Sequence, residues 1–365
     1  MRRSVLVFCL LLCLIVPAGL HPDTLRLPAD SVAAMVTGGR PLCLVSEGGR
    51  FRWESGELQP LEGFFSFYTA GEQPLEARFE VSARASRGEV LRGSFLFSEA
   101  VDRLAGTLHR NGGEPGVSFK GFALDDTGRS WCFLLGIPST AEAGEYSLEI
   151  RAFRGRRFIL YRATVDLRYR SFRSEEIAFN QALSELITKP DPQKVREYED
   201  LLTLLSAFHS RSVFHAGTLT VPVEATRRTS GFADRRLYSY TDGGSSRSLH
   251  NGVDLAAPVG TPVFASAAGR VVLARQRIIS GNSVVIEHLP GVFTLYYHLD
   301  EMEVQEGQRL YQGQRIGTVG MTGLATGPHL HWELRVGGVA VDPDFFVEIP
   351  MIDKTVFSHN IIQQN

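Results

Sequence analysis

Three short stretches of this chain carry side chains whose types and spacing could do chemistry. In "GPHLHWEL", residues 327–334, two histidines flank a single leucine. Side chains of an extended chain alternate with a period of two, so His329, His331 and Glu333 share one face and Leu330, Trp332 and Leu334 the other. Such a polar face can bind a metal through one imidazole while its neighbour does acid–base work. A surface strand with two solvated histidines is the alternative that the octapeptide alone leaves open. In "LHNGVDLAAPVGTPV", His250 and Asp254 stand four apart. A straight strand would separate their Cα atoms by roughly 13 Å. Both reach one ion only if the chain bends, and Asn251-Gly252 offers a bend. In "TLYYHLD", the same period puts Thr294, Tyr296 and His298 on one face. Two imidazoles and one carboxylate form a ligand set for catalytic zinc, with the fourth position left to water.

The elements that must position these residues are mostly strands. The region 215–348 is β-rich. Upstream, residues 24–171 alternate repeatedly, as in "EVLRGSFLF", "WCFLLGI" and "FILYRATVDLRY", with Gly, Asn, Asp and Pro between the runs. Many short strands at regular spacing predict an antiparallel, immunoglobulin-like β-sandwich over 19–171, one elaborated sandwich or two small ones. A helical hairpin is expected over 172–214. In "SEEIAFNQALSELITK" Ser174 is the candidate N-cap, with Ile177, Leu183, Leu186 and Ile187 near one face. "PDP" at 190–192 breaks the run, and Val195, Tyr198, Leu201, Leu202, Leu205 and Phe208 form an apolar stripe beyond it. The hairpin reads as a packed spacer, and residues 349–365 as a tail.

Composition sets limits on function. The chain has 365 residues, 44% hydrophobic and 21% charged, with a formal net charge of −2. That balance calls for neither nucleic acid nor an acidic membrane as partner. Residues 1–18 fit a secretory signal peptide: Arg2 and Arg3, an apolar run from Val5 to Val16, then Ala18. No other stretch is long and apolar enough to span a membrane. Export places Cys43 and Cys132 in an oxidising compartment, where a bridge across the sandwich is one reading and two separate buried thiols the other.

"HNGVDL", "TLYYHL" and "TGPHLHWEL" together resemble the lysostaphin-type zinc metalloendopeptidases, whose pattern is HxxxD, then TxYxHL, then Gly-Pro-His-Leu-His. "TSGF" at 229–232, "SGNSVVIEH" at 280–288 and "VQEGQRLYQGQRIGTVGMTG" at 304–323 support the match in the same order. The resemblance covers the C-terminal third and more. It implies a small antiparallel β domain with one Zn2+ in a groove on its sheet. It also implies that His250, Asp254 and His331 are the ligands, and that His329 and His298 are the catalytic histidines. There is no HExxH, so the histidines must do the acid–base work: His329 as general base, His298 as stabiliser of the oxyanion, or the reverse. Glu333 is a candidate to orient a ligand, Tyr296 to line the groove, and Asn282 to do so or to serve a turn. Ala233 departs from the family's usual Gly and Ala325 from its frequent Ser.

Two other classes compete. A lipoyl- or biotinyl-type carrier fits the Gly-turn rhythm of 304–323 but needs a modifiable Lys, and that segment has none. A degenerate relative that regulates other wall hydrolases would lack ligands, which are all present here. The resemblance therefore implies a zinc endopeptidase acting on peptidoglycan peptides, exported, to the periplasm sooner than to the medium. The N-terminal region is expected to restrict or direct the groove, with an envelope regulatory partner as one route.

Overall fold

The computed structural model describes residues 34–37, 40–47, 50–55, 62–67, 75–110, 116–155 and 157–357. The signal-peptide segment lies outside them. The described chain is mostly β, as the alternation predicts. Toward the N-terminus, strands Phe122–Ala123, Ser130–Gly136, Val90–Phe97, Leu75–Val81 and Glu62–Phe67 form one five-stranded sheet. Strands Arg84–Ser86, Arg157–Arg168, Gly144–Arg154, Arg103–Arg110 and Val117–Lys120 form a second. Phe79, Leu91, Phe95, Phe133, Leu148, Ile150 and Val165 fill one core between them. This is a sandwich, but not the immunoglobulin arrangement of four strands on three. Arg84–Ser86 also pairs with Arg157–Arg168 in parallel.

Of the two readings of Cys43 and Cys132, a bridge or separate buried thiols, the structure describes the Cys132 side. Cys132 is a free, buried thiol, with Sγ 3.4 Å from Ser94 Oγ, and burial pushes it up to about 12. The side chain of Cys43 lies outside those described. Cys132 belongs to the apolar core of the C-terminal domain, together with Phe122, Leu134, Val336 and Val341. The sandwich therefore rests against that domain. Asp342 N donates to Gly88 O at 2.7 Å, Arg170 pairs with Asp342 at 2.6 Å, and Met351 and Ile352 are buried in the same core.

The connecting segment departs from the helical reading. Ser174–Ala178 is a strand, paired in parallel with Arg235–Ser239. The first helix, Gln181–Thr188, starts later, and Asn180 instead of Ser174 caps it by accepting from Leu183 N. Asp191 caps the second, Pro192–Ser206, with Pro at the first turn, where its missing N–H costs nothing. Its buried face is narrower than the predicted stripe. Leu201 and Leu205 pack on Leu273, Val285, Phe293, Leu295 and Tyr297, whereas Val195, Tyr198 and Leu202 are exposed. The helix is thus laid on one face of the C-terminal sheet and is more than a spacer.

That sheet runs in the order Arg227–Ser230, Gly252–Ala256, His329–Val336, Val292–Met302, Gly281–Leu289, Gly269–Arg277, Arg309–Leu310. Its other face, with Leu330, Trp332, Leu334, Val284, Ile286 and Tyr296, builds the main core.

Candidate metal centre and active site

Register brings the candidate ligands together. Asp254 pairs with His331 across two central strands, and Tyr297 lies beside His331 on the next. His250 sits just before the strand that carries Asp254. Its backbone is clamped by Ala233 N, which donates to His250 O at 2.7 Å, and by Asp234 O, which accepts from His250 N at 2.9 Å. Ala233, where the family's glycine usually stands, has φ +60°, a left-handed conformation that glycine adopts at less cost. Gly252 is needed for close approach and not for the bend: a β-carbon there would lie 2.3 Å from Trp332 O.

Three donor atoms converge. His250 Nε2 is 3.0 Å from Asp254 Oδ1 and 2.9 Å from His331 Nδ1, and His331 Nδ1 is 2.8 Å from Asp254 Oδ1. The second nitrogen of each ring fixes its tautomer. His250 Nδ1 must donate to Gly231 O at 2.7 Å, which leaves Nε2 a lone pair. His331 Nε2 donates to Glu333 Oε1 at 2.9 Å, which leaves Nδ1 a lone pair. Two imidazole lone pairs and a carboxylate oxygen facing one another repel unless a cation sits among them. The triangle is a few tenths of an ångström tighter than the edge of roughly 3.3 Å expected around a tetrahedral zinc. The residues fit a metal ion. Without one, a proton takes its place. Burial disfavours a charged His331, but Asp254 and Glu333 outweigh it and hold the imidazole up at about 9. Burial would raise the Asp254 carboxyl, but the two histidines hold it well below its usual range.

His298 and His329 stand beside this triangle, ring centroids 4.8 Å apart. His329 Nδ1 lies 2.8 Å from Gly327 O, and its Nε2 lies 3.6 Å from Asp254 Oδ1. His298 Nδ1 donates to Thr322 O at 2.7 Å. His298 does not share a face with Thr294 and Tyr296, as the alternation suggested. Asn282 pairs with Leu299 and Val284 with Tyr296, so Ser283 alone faces Tyr297 and His298. His298 absorbs this β-bulge with φ +63°, and the bulge re-aims its ring toward the site. Burial, then His329 and His331, push its imidazole down to about 3. It is therefore neutral and presents a bare Nε2. In that state Nε2 is a hydrogen-bond acceptor.

The remaining candidates separate. Glu333 touches His331 directly, and Arg335 Nε holds its other oxygen at 2.7 Å. Tyr296 does not line the groove: it is fully buried in the core, with its hydroxyl accepting from Ser266 N at 2.9 Å. Asn282 Nδ2 donates to Asp300 O at 2.8 Å, and its N–H donates to Thr322 Oγ1 at 3.0 Å. It therefore braces the loop whose carbonyl orients His298. Sequence reasoning missed Tyr297 and Arg236. Arg236 Nη2 donates to Asp254 Oδ2 at 2.6 Å and its Nε to Glu175 Oε1 at 2.6 Å. Tyr297 fills the unspecified position of TxYxHL, Arg236 lies outside the motifs, and Glu175 falls in the segment read as helix.

Residues 248–343 match the model of Peptidase family M23. The peptidoglycan DD-endopeptidase ShyA of Vibrio cholerae is 46% identical over 122 residues, which are 33% of this chain and 28% of ShyA. The DD-carboxypeptidase/endopeptidase Mpg of Neisseria meningitidis is 45% identical over 114 residues, 30% of this chain and 26% of Mpg. The match thus spans less than a third of either relative's length. Among solved structures, the catalytic domain of the prophage-encoded M23 protein EnpA from Enterococcus faecalis is 33% identical. That comparison covers 34% of this chain and 95% of EnpA's domain, at a TM-score of 0.29. With the HxxxD, TxYxHL and Gly-Pro-His-Leu-His segments in order and their side chains gathered at one point, the C-terminal region of this chain is a Peptidase family M23 domain.

Proposed function

We propose that this chain is a zinc endopeptidase that cleaves peptide cross-links or stem peptides of peptidoglycan. The observation that carries the reading is the convergence of two imidazole nitrogens and one carboxylate oxygen, beside two further imidazoles. The names of the relatives supply the substrate class. His250 Nε2, Asp254 Oδ1 and His331 Nδ1 would hold one Zn2+ per chain. When bound, the ion supplies Lewis acidity toward a peptide carbonyl and toward water. His329, at the rim of the site, accepts the proton of the attacking water at Nε2 and then donates it to the leaving nitrogen. His298 stays neutral, held by Thr322 O, and accepts a hydrogen bond from water or from a substrate N–H. The complete donor set speaks against a metal-free regulator. The residues of the leader support export, and we place the protein in the periplasm.

The test is digestion of purified, cross-linked peptidoglycan, with fragments identified by mass spectrometry, with zinc and with a chelator. Zinc-dependent release of uncross-linked stem peptides is the expected result. Intact cross-links with zinc bound would refute the substrate, and equal cleavage by a verified zinc-free preparation would refute the metal.

A further inference from the structure

The carboxylate of Asp254 is divided between two tasks. Oδ1 faces the two imidazoles, while Oδ2 accepts from Arg236 Nη2 at 2.6 Å. Arg236 is itself held. Its Nε donates at 2.6 Å to Glu175, its neighbour across the parallel ladder, and its side chain is only 13% exposed. Glu175 Oε1 also accepts from Ser230 Oγ at 2.7 Å, and Ser230 pairs with Asp254. The hairpin that carries Arg236 runs from Arg235–Ser239 into Ser245–Leu249 and delivers the chain directly to His250. Strand Ser174–Ala178 thus lines the outer edge of a hairpin whose mouth is the metal centre.

We propose that Glu175 and Arg236 are positioning residues of the metal centre, Glu175 acting through Arg236, and that the segment preceding the M23 match is part of that centre. The proposal rests on the zinc reading above. A guanidinium is planar and can bond two carboxylates with separate N–H groups at fixed angles. Bound to Oδ2, Arg236 fixes the plane of the Asp254 carboxylate. The carboxylate then offers the ion one oxygen, and the remaining coordination space stays open. Arg236 does not stand in for the ion, because it sits on the oxygen turned away from His250 and His331. Partners that orient ligands in this way typically control metal affinity by about 10–100-fold. Geometry and charge make opposite forecasts here. Deleting a cation beside a ligand would by itself tighten metal binding, whereas releasing the carboxylate weakens it.

The experiment measures Zn2+ affinity of the full chain by competition with a chromophoric chelator, alongside thermal unfolding of the metal-free form. Arg236→Gln should lose about 10–100-fold in affinity and Glu175→Gln about tenfold, each with the metal-free melting temperature unchanged. Arg236→Lys should not rescue, since one ammonium cannot reproduce the planar fork. The double variant should be no weaker than Arg236→Gln alone. Unchanged or tighter binding in Arg236→Gln, rescue by lysine, or additive losses in the double variant would overturn the proposal. So would a fall in the metal-free melting temperature of Glu175→Gln that accounts for its loss. A full chain that binds no zinc overturns the function as well. Zinc bound equally by parent and variants overturns only this inference.

Discussion

Tyr297 lies flat against His331, with ring centroids 5.4 Å apart and planes within 9°. Tyr297 shares an apolar cluster with Leu201 and Leu205 of the helix Pro192–Ser206. The imidazole is therefore gripped on its face by a ring and at its Nε2 by Glu333. It has little freedom to turn Nδ1 away from Asp254.

Replacing this ring should loosen the ligand. Tyr297→Ala removes a fully buried aromatic side chain, a change that typically costs 3–5 kcal/mol, and should lower zinc affinity as well. Tyr297→Phe keeps the stacked ring and should keep the affinity. Denaturant unfolding and zinc titration of the two variants check this. Equal zinc affinity in both would mean that the ring does not orient His331.

The adjacent histidines should fail differently. His331→Ala deletes one of three protein ligands, so bound zinc and activity should both be lost. His329→Ala leaves the ligand set whole. It should retain zinc while turnover falls by about 10²–10⁴, the usual worth of a general base. His298→Ala should also retain zinc and lose activity. Elemental analysis beside turnover decides, and a zinc-free His329→Ala with a zinc-replete His331→Ala would invert the assignment.

Zinc affinity should rise with pH. His331 is held at about 9 without the ion, so below that value binding must displace a proton. Competition titrations at pH 6.5, 7.5 and 8.5 should show about tenfold tighter binding per unit, levelling off near pH 9. A flat profile would show that no ligand carries a proton in the metal-free site. Chelation should abolish activity and leave the domain folded, since Leu330, Trp332 and Leu334 bury their side chains without help from the ion.

Acid should weaken the fold through a residue away from the metal. His288 is fully buried, with Nδ1 2.8 Å from Ala268 O and Nε2 2.6 Å from Thr294 Oγ1. Burial pushes its imidazole down to about 4. The unfolded chain takes up this proton near pH 6.5 and the folded chain only near 4. The stability that the neutral ring contributes is therefore present above 6.5 and lost as pH falls toward 4, by about 3 kcal/mol. His288→Gln should flatten the dependence of unfolding free energy on pH between 6.5 and 4. An unchanged slope would refute the assignment.

Period and spacing made the central strand legible. Leu330, Trp332 and Leu334 are wholly buried on one face, and His331 and Glu333 meet on the other. The convergence of His250 on Asp254 was legible only as a need for a bend. The backbone bonds of Ala233 and Asp234 that make it belong to a turn with no strong signal. His298 was placed on the wrong face because a strand's period carries no mark of an inserted residue. Glu175 was hidden for a different reason. Its segment has helical spacing, and the parallel partner that overrides it, Arg236, lies 61 positions downstream. The docking of the sandwich on the C-terminal domain depends on which apolar faces meet, and composition is silent on that.

The bulge at His298 gives the strand Val292–Met302 two phases. Up to Tyr296 the even-numbered residues point into the main core; past His298 it is Leu299 that does so. What the site requires between Tyr296 and Leu299 is a count of residues. Substitutions at Tyr297 can be graded by size, but deleting one residue there has no graded version. The strand would fall back into step with Leu299 still in the core, and His298 would be drawn into the place where Tyr297 now stacks on His331. The spacing within "YYHL" is a timing element of the fold, and an insertion or deletion of one residue in this window would displace His298 while leaving His250, Asp254 and His331 in the sequence.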